Sequence, residues 1–247
     1  MDRVIEIGAA RALVADQALW PRVRDFLWDF APSIHSSWIE EFESLKVGKF
    51  EGTNSRTLNP SDSQTFKLSN SHTFKRFILS ALGIEPCFHA FPKDDWSRLA
   101  LLDGQTLESI IKWLGALACA DALRRMTDGN TVRELKASLP GIYPEVFAYT
   151  AYFAKIDFQR SDAEKQSGEV QDDGSRPSVV EEVVSTGMSI VELLLDEVPS
   201  PLVSRLRFKL PKGLCNSTSS RFKKETCGAV VAKLLKLKFP EAYRLCC

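Results

Sequence analysis

Cysteine and histidine side chains, which can bind metal ions or act in catalysis, lie close together at two places in this sequence. Cys87 and His89 are separated by one residue, and Cys246 and Cys247 are adjacent at the end of the chain. Four thiolate or imidazole ligands could hold a zinc ion, and a thiolate beside an imidazole could act as a nucleophile. These spacings match no common zinc pattern, and no motif supplies a residue to orient the imidazole. We therefore predict no metal ion, no cofactor and no catalytic residue, so the chain is not expected to be an enzyme.

The phrase Asp-Gly-x-Thr occurs twice, at Asp103–Thr106 and at Asp128–Thr131. A phosphate loop needs more glycines and usually a following lysine, and a calcium loop needs alternating oxygen ligands closed by a glutamate. Neither set is present. An apolar helical run follows each phrase, and Thr131 with Glu134 has the spacing of a capping box. Both phrases therefore predict helix starts, with the threonines as the capping residues.

The charges are balanced in number but not in distribution. Lysine and arginine equal aspartate and glutamate at 32 each, yet residues 162–197 contain ten acidic and two basic residues, whereas 205–244 contain eleven basic and two acidic ones. Two opposed blocks indicate either packing against each other or two differently charged contact surfaces. The basic tail leaves a nucleic-acid-binding protein as the alternative function, although exposed aromatics among its lysines and a recognisable reading motif are lacking.

Apolar residues recur at helical spacing through most of the chain. A first stripe of Val23, Phe26, Leu27 and Phe30 follows Pro21. Further helices are predicted over Trp96–Leu102, Leu107–Ala118, Ala120–Met126, Val132–Leu139, Pro144–Phe153, Val179–Val198 and Glu225–Phe239. The fold class is therefore mainly α, an irregular multi-helix globular fold with at most a short strand near 205–210.

That strand is predicted from the alternation in "SRLRFKLP". Arg205, Arg207 and Lys209 alternate with apolar residues, which is the two-residue period of a strand with one cationic face. No stretch of the sequence is long and apolar enough to span a membrane, and the first residues do not form a signal peptide. With no export signal, the six cysteines are expected to be reduced in a cytoplasm.

Two polar segments divide the chain. Residues 47–72 are rich in Ser, Thr, Asn and Gly and predict a loop or insertion, and 159–178 are polar and acidic and predict a linker. We therefore predict an N-terminal helical region over 1–158, the acidic linker over 159–178, and a C-terminal helical region over 179–247 that packs on the first.

Three stretches carry a resemblance to a known family. They are "ALWPRVRDFLWDFAPSIHSSWIEEF" near the start, "ALLDGQTLESIIKWLGAL" in the middle, and the tail from "SRLRFKLP" through "CGAVVAKLLKLKFPEAYRLCC". Their pattern of apolar, proline and basic residues resembles the K subunit of bacterial type III secretion systems, the Yop translocation protein K family. The polar segment 47–72 and the acidic stretch 160–178 depart from that pattern.

The resemblance implies a cytoplasmic, non-enzymatic adaptor in the sorting platform of an injectisome. Such a subunit joins the cytoplasmic domain of the inner-membrane ring protein to the pod protein that carries the ATPase. It would lie at the cytoplasmic face of the inner membrane of a Gram-negative bacterium, held there by protein partners, with no nucleic acid bound. We expect Trp96 and Arg98 to belong to one partner surface and Arg205, Arg207 and Lys209 to another; a solvated strand face is an equal alternative for the latter row.

Overall fold

The computed structural model describes residues 19–28, 30, 33–40, 89, 91–92, 96–153, 178–215 and 222–247. The predicted polar segment 47–72, nearly all of the acidic linker, and Cys87 lie outside the described residues. Within these ranges the chain forms helices and contains no strand, which confirms the mainly α prediction.

Nine α-helices follow one another along the described part of the chain. They are α1 (Trp20–Trp28), α2 (Gly104–Ala118), α3 (Ala120–Arg125), α4 (Gly129–Ser138), α5 (Ile142–Phe153), α6 (Val179–Leu194), α7 (Ser200–Phe208), α8 (Lys224–Lys238) and α9 (Pro240–Cys246). Two 3₁₀ helices cover Trp96–Leu101 and Lys212–Cys215. The helices predicted from periodicity correspond to these elements within a few residues at each end, except that Trp96–Leu101 is a 3₁₀ helix.

The chain divides into two compact units. One contains residues 1–92 and 199–212, and the other contains 93–198 and 213–247. Each unit therefore combines segments that are distant in the sequence. The predicted boundaries at 158/159 and 178/179 stay a prediction, because most of the segment between them is outside the described residues.

In the first unit, α7 packs beside α1 and the short helical turn at 36–40. Leu202 and Leu206 of α7 are fully buried, as are Val23 and Phe26 of α1. Hydrogen bonds of 2.8 Å connect the turn to the end of α7: the indole Nε1 of Trp38 donates to the carbonyl of Leu210, and the N–H of His35 donates to the carbonyl of Phe208.

The strand predicted near 205–210 is wrong, because these residues belong to α7 and the turn that ends it. The buried positions 202, 205, 206 and 209 follow the i, i+3, i+4, i+7 spacing of a helix face. Two of the four are the cations Arg205 and Lys209. If only apolar residues are assumed to be buried, residues 205–210 alternate between buried and exposed as in a strand. Because Arg205 and Lys209 are buried as well, the buried residues instead form one face of a helix.

The centre of the second unit is the crossing of α2 and α6. A methyl group added to Gly115 would lie 1.8 Å from the carbonyl oxygen of Val183, and one added to Gly187 would lie 2.0 Å from that of Ile111. The two backbones therefore touch, which only glycine permits. Around this contact Ile110, Leu114, Met188 and Ile190 are fully buried, and helices α3, α4, α5 and α8 pack against this pair.

Candidate functional site

The three cations predicted to form one row point in different directions. Arg205 and Lys209 are 3% and 6% exposed, whereas Arg207 is exposed. Residues two positions apart on a helix differ by about 200° around its axis. The helix therefore separates Arg207 from its two neighbours. A partner contact through these residues stays a prediction, but the row itself does not exist.

The buried pair instead stabilises the contact between α7 and α1. Arg205 Nη1 donates hydrogen bonds of 2.9 Å to the carbonyl oxygens of Phe26 and Leu27 in the last turn of α1. Its guanidinium also lies 5.9 Å from the ring centres of Phe26 and Phe30, and Lys209 Nζ lies 4.7 Å from that of Phe26. A cation at the C-terminal end of a helix is favourable because the last carbonyls carry partial negative charge.

Trp96 and Arg98 lie in the second unit, in the 3₁₀ helix Trp96–Leu101. Arg98 is 8% exposed, and its Nη1 donates a 3.1 Å hydrogen bond to the carbonyl of Leu245 in α9. The half-buried indole of Trp96 faces Gly228 of α8, where an added methyl group would lie 3.4 Å from Nε1. Both side chains therefore hold C-terminal helices in place, and whether Trp96 also contacts a partner stays a prediction.

Both Asp-Gly-x-Thr phrases begin helices, as predicted, but the capping residue is the aspartate. Asp103 Oδ1 accepts the N–H of Thr106, and Asp128 Oδ2 accepts the N–H of Thr131, each at 2.8 Å. The prediction that the threonines cap is wrong, because α2 and α4 begin at the glycines and place the threonines inside the first turn. The Thr131 hydroxyl and N–H, which both donate to Asp128, hold the pKa of that carboxyl below its usual 3.8.

A cluster that the sequence analysis did not single out connects α8 to α5. Lys238 Nζ pairs with Glu145 and lies 4.9 Å from the ring centre of Trp113 and 4.4 Å from that of Tyr149. Burial acts to lower the pKa of Lys238, but its interactions with Glu145 and Tyr149 outweigh burial and raise it. The lysine is therefore held as a cation between two aromatic rings. No local sequence pattern predicts this cluster, because its residues are more than 90 positions apart in the chain.

A second lysine repeats this contact along the same two helices. Lys233 Nζ donates to the backbone carbonyl of Tyr152 and lies 5.2 Å from the ring centre of Phe153. Lys233 and Lys238 are thus both anchored on α5, one near each end of that helix. These two lysines of the basic tail therefore take part in the packing of α8 against α5.

Burial raises the pKa of two thiols in the described part of the chain. Cys227 is fully buried, and burial raises the pKa of its thiol to about 11, so it is protonated at neutral pH. Burial also raises the pKa of Cys247. Among the described residues, no three His, Cys, Asp or Glu side chains are grouped so as to hold a metal ion. Within the same ranges, no helix combines the length and apolarity needed to cross a bilayer.

Comparison with protein families decides the affiliation. The model of the YOP proteins translocation protein K (YscK) family matches residues 63–246, which is well over half of the 247 residues. The chain belongs to this family. The resemblance seen in the sequence is thereby confirmed, and the chain is a type III secretion-related protein. No curated protein and no solved structure gives a significant match.

The matched residues include α2 to α9 and thus every described helix of the second unit. Helix α1 lies before the matched range. It is nevertheless connected to α7, inside that range, through Arg205 and the residues around it.

Proposed function

We propose that this protein is a cytoplasmic adaptor of a type III secretion injectisome. It links the cytoplasmic domain of the inner-membrane ring protein to the pod protein and to the ATPase sorting platform. It works at the cytoplasmic face of the inner membrane of a Gram-negative bacterium, where its protein partners hold it. The observation that carries the proposal is the match of residues 63–246 to a translocation-protein family.

The use of polar side chains supports an adaptor without turnover. The carboxylates of the two Asp-Gly-x-Thr phrases have structural partners, because Asp103 and Asp128 accept backbone N–H groups at helix starts. Arg98 and Arg205 donate to carbonyls at helix ends, and Lys238 lies between aromatic rings. The raised pKa of Cys227 keeps this thiol poorly nucleophilic. We propose accordingly that the protein has no catalytic residue and binds no cofactor.

Co-purification from the native host tests the linking role. The full chain carries an affinity tag, and the proteins retained with it are identified by mass spectrometry. We expect the ring protein and the pod protein to be retained together. In a strain that lacks this chain, we expect a tagged pod protein to lose the ring protein, because the link between them is missing.

Two results would contradict the adaptor role. One is a pod protein that retains the ring protein equally well without this chain. The other is a chain that retains no secretion protein but binds heparin or DNA with a steep dependence on salt, which is the behaviour of a protein that neutralises phosphates.

A further inference from the structure

Helix α5 is unusually exposed for its composition. Its twelve residues, IYPEVFAYTAYF, include one charged side chain, Glu145. A helix that is apolar on all sides is normally buried on all sides. Here the buried residues are Ile142, Tyr143, Val146 and Phe153. A large part of an apolar helix therefore faces outward.

The exposed residues of α5 form one continuous stripe. Pro144, Ala148, Ala151 and Tyr152 are all exposed and have the spacing i, i+4, i+7, i+8, which places them on one face. Tyr152 is 62% exposed. The other exposed large hydrophobic residue of the described ranges is Leu237 of α8, at 45%. Leu237 directly precedes Lys238, which contacts α5. Tyr152 of α5 and Leu237 of α8 therefore lie on neighbouring helices.

Cations border this stripe on both sides. Around the axis of α5, Glu145 and Tyr149 lie on one edge of the exposed face, where Lys233 and Lys238 of α8 approach. Phe147 and Thr150 lie on the opposite edge, where Arg124 of α3 approaches. Its Nη2 donates a 3.1 Å hydrogen bond to the Thr150 hydroxyl, and its guanidinium lies 5.8 Å from the Phe147 ring centre.

The border is positive in total. Its cations are Arg124, Lys233 and Lys238. Asp121, 3.9 Å from Arg124, and Glu145 offset part of this charge. An apolar face between two cationic edges is complementary to an apolar stripe between two acidic edges, because each edge then meets opposite charge as water is excluded.

We propose that the exposed face of α5, with Leu237 of α8 beside it, binds an amphipathic helix of a partner protein whose apolar stripe is bordered by carboxylates. The proposal rests on the adaptor function, because it assigns the surface for one partner in the secretion apparatus. The occupant is a helix rather than an extended peptide because a helix satisfies its own backbone hydrogen bonds, whereas α5 offers no sheet edge to which an extended peptide could add.

The first test uses Ala148→Glu with Ala137→Glu as its matched control. Both alanines are exposed residues of α-helices, and glutamate is a good helix former, so both variants are expected to fold. Ala148→Glu places a bulky carboxylate in the middle of the stripe, whereas Ala137 lies on α4. We expect Ala148→Glu to reduce the amount of one co-purified secretion protein at least tenfold at unchanged circular dichroism, and Ala137→Glu to leave it unchanged.

The second test addresses charge. Arg124→Glu reverses the cation at one edge of the surface, and Arg133→Glu makes the same change at an exposed residue of α4. Arg124→Glu is expected to weaken the same partner severalfold and to reduce the salt dependence of the complex. Equal retention by Arg124→Glu and Arg133→Glu would overturn the acidic partner.

Photo-cross-linking identifies the occupant. With p-benzoylphenylalanine in place of Tyr152, we expect the cross-linked peptide to come from an acidic amphipathic helix of the retained partner. A cross-link to a second copy of this chain would overturn the proposal. So would binding to phosphatidylglycerol vesicles that Ala148→Glu abolishes, since the face would then meet a membrane.

The outcomes separate this surface from the adaptor function. If the wild-type chain retains no secretion protein, both proposals fail. If the wild-type chain retains its partners and Ala148→Glu retains them equally, the adaptor function stands and the surface on α5 is wrong.

Discussion

At the scale of single residues, the two buried arginines of the described part of the chain donate hydrogen bonds to backbone carbonyls. Arg205 binds the carbonyls of Phe26 and Leu27 at the end of α1, and Arg98 binds that of Leu245 in α9. A guanidinium suits this use because it is planar, always charged, and presents several donors in fixed directions. The carbonyls in the last turn of a helix lack partners within that helix, so an arginine from a neighbouring segment satisfies them and fixes the position of the helix end.

The first prediction separates the structural arginine from its exposed neighbour. Arg205→Met keeps the apolar part of the side chain but removes the donors to two buried carbonyls. We expect the free energy of unfolding to fall by about 2 kcal/mol or more, the cost of losing charge-assisted hydrogen bonds. Arg207→Met, on the exposed side of α7, should change it by about 0.5 kcal/mol or less. Urea unfolding of both variants measures the difference.

Equal stability of the two variants would contradict the burial of Arg205. The same pair also refines any test of the segment as a partner surface. Reversing Arg205, Arg207 and Lys209 together would damage the contact between α1 and α7, and a loss of binding would then reflect unfolding. Arg207→Glu alone tests the surface, because Arg207 is exposed while the other two cations are buried.

At the scale of secondary-structure elements, the close contact of α2 and α6 determines the packing of the second unit. Glycine is required twice, once on each helix, and each glycine lies against a carbonyl of the other helix. Backbones that approach this closely gain dispersion contacts along the whole crossing. Long apolar side chains on both sides, including Ile110 and Met188, then fill the space around it.

The second prediction concerns these glycines. Gly115→Ala and Gly187→Ala each place a methyl group within 2.0 Å of a backbone carbonyl oxygen, which no side-chain rotation can relieve. Each should lower the free energy of unfolding by about 3 kcal/mol, the upper end of the cost of overpacking. Gly129→Ala is the control, because nothing lies within 4 Å of the added methyl group, and a change under about 1 kcal/mol is expected. Wild-type thermal stability in Gly115→Ala would show that the helices do not touch.

The sequence predicts elements well where the buried face is apolar. Helices α2, α6 and α8 follow from periodicity because residues such as Ile111, Val191 and Leu234 lie inside. Helix α7 was missed because Arg205 and Lys209 occupy positions on its buried face. A prediction from sequence periodicity places cations on the surface. Only the three-dimensional structure shows that Arg205 and Lys209 contact the aromatic rings and backbone carbonyls of α1.

The candidate sites were less accessible to sequence reasoning than the fold. The Asp-Gly-x-Thr phrases predicted helix starts correctly, yet the choice between Asp and Thr as the cap depends on where the first helical residue falls. The exposed face of α5 was not predicted at all. An apolar sequence such as IYPEVFAYTAYF gives no indication of which of its sides other helices cover.

At the scale of the whole molecule, each of the two units is formed by two segments of the chain that are separated in sequence. Residues 199–212, which contain α7, belong with residues 1–92, and residues 213–247 belong with 93–198. The two units are therefore connected twice within a short stretch, at 198/199 and 212/213. Because of this interleaving, neither unit can be removed from the chain by one cut.

The third prediction follows from this interleaving and uses two truncated chains. A chain that ends at Val198 lacks α7, so α1 loses the Arg205 hydrogen bonds and the contact of Lys209 with the Phe26 ring. A chain that ends at Lys212 keeps α7 but lacks α8 and α9. Amide hydrogen exchange over 20–28, read by mass spectrometry, should therefore be fast in the first chain and remain slow in the second, since exchange reports local opening. Exchange over 104–118 should accelerate in both chains, because Val230, Val231 and Leu234 no longer cover the second unit.

Slow exchange over 20–28 in the chain that ends at Val198 would mean that α1 is stabilised without α7, and the assignment of α7 to the first unit would then be wrong.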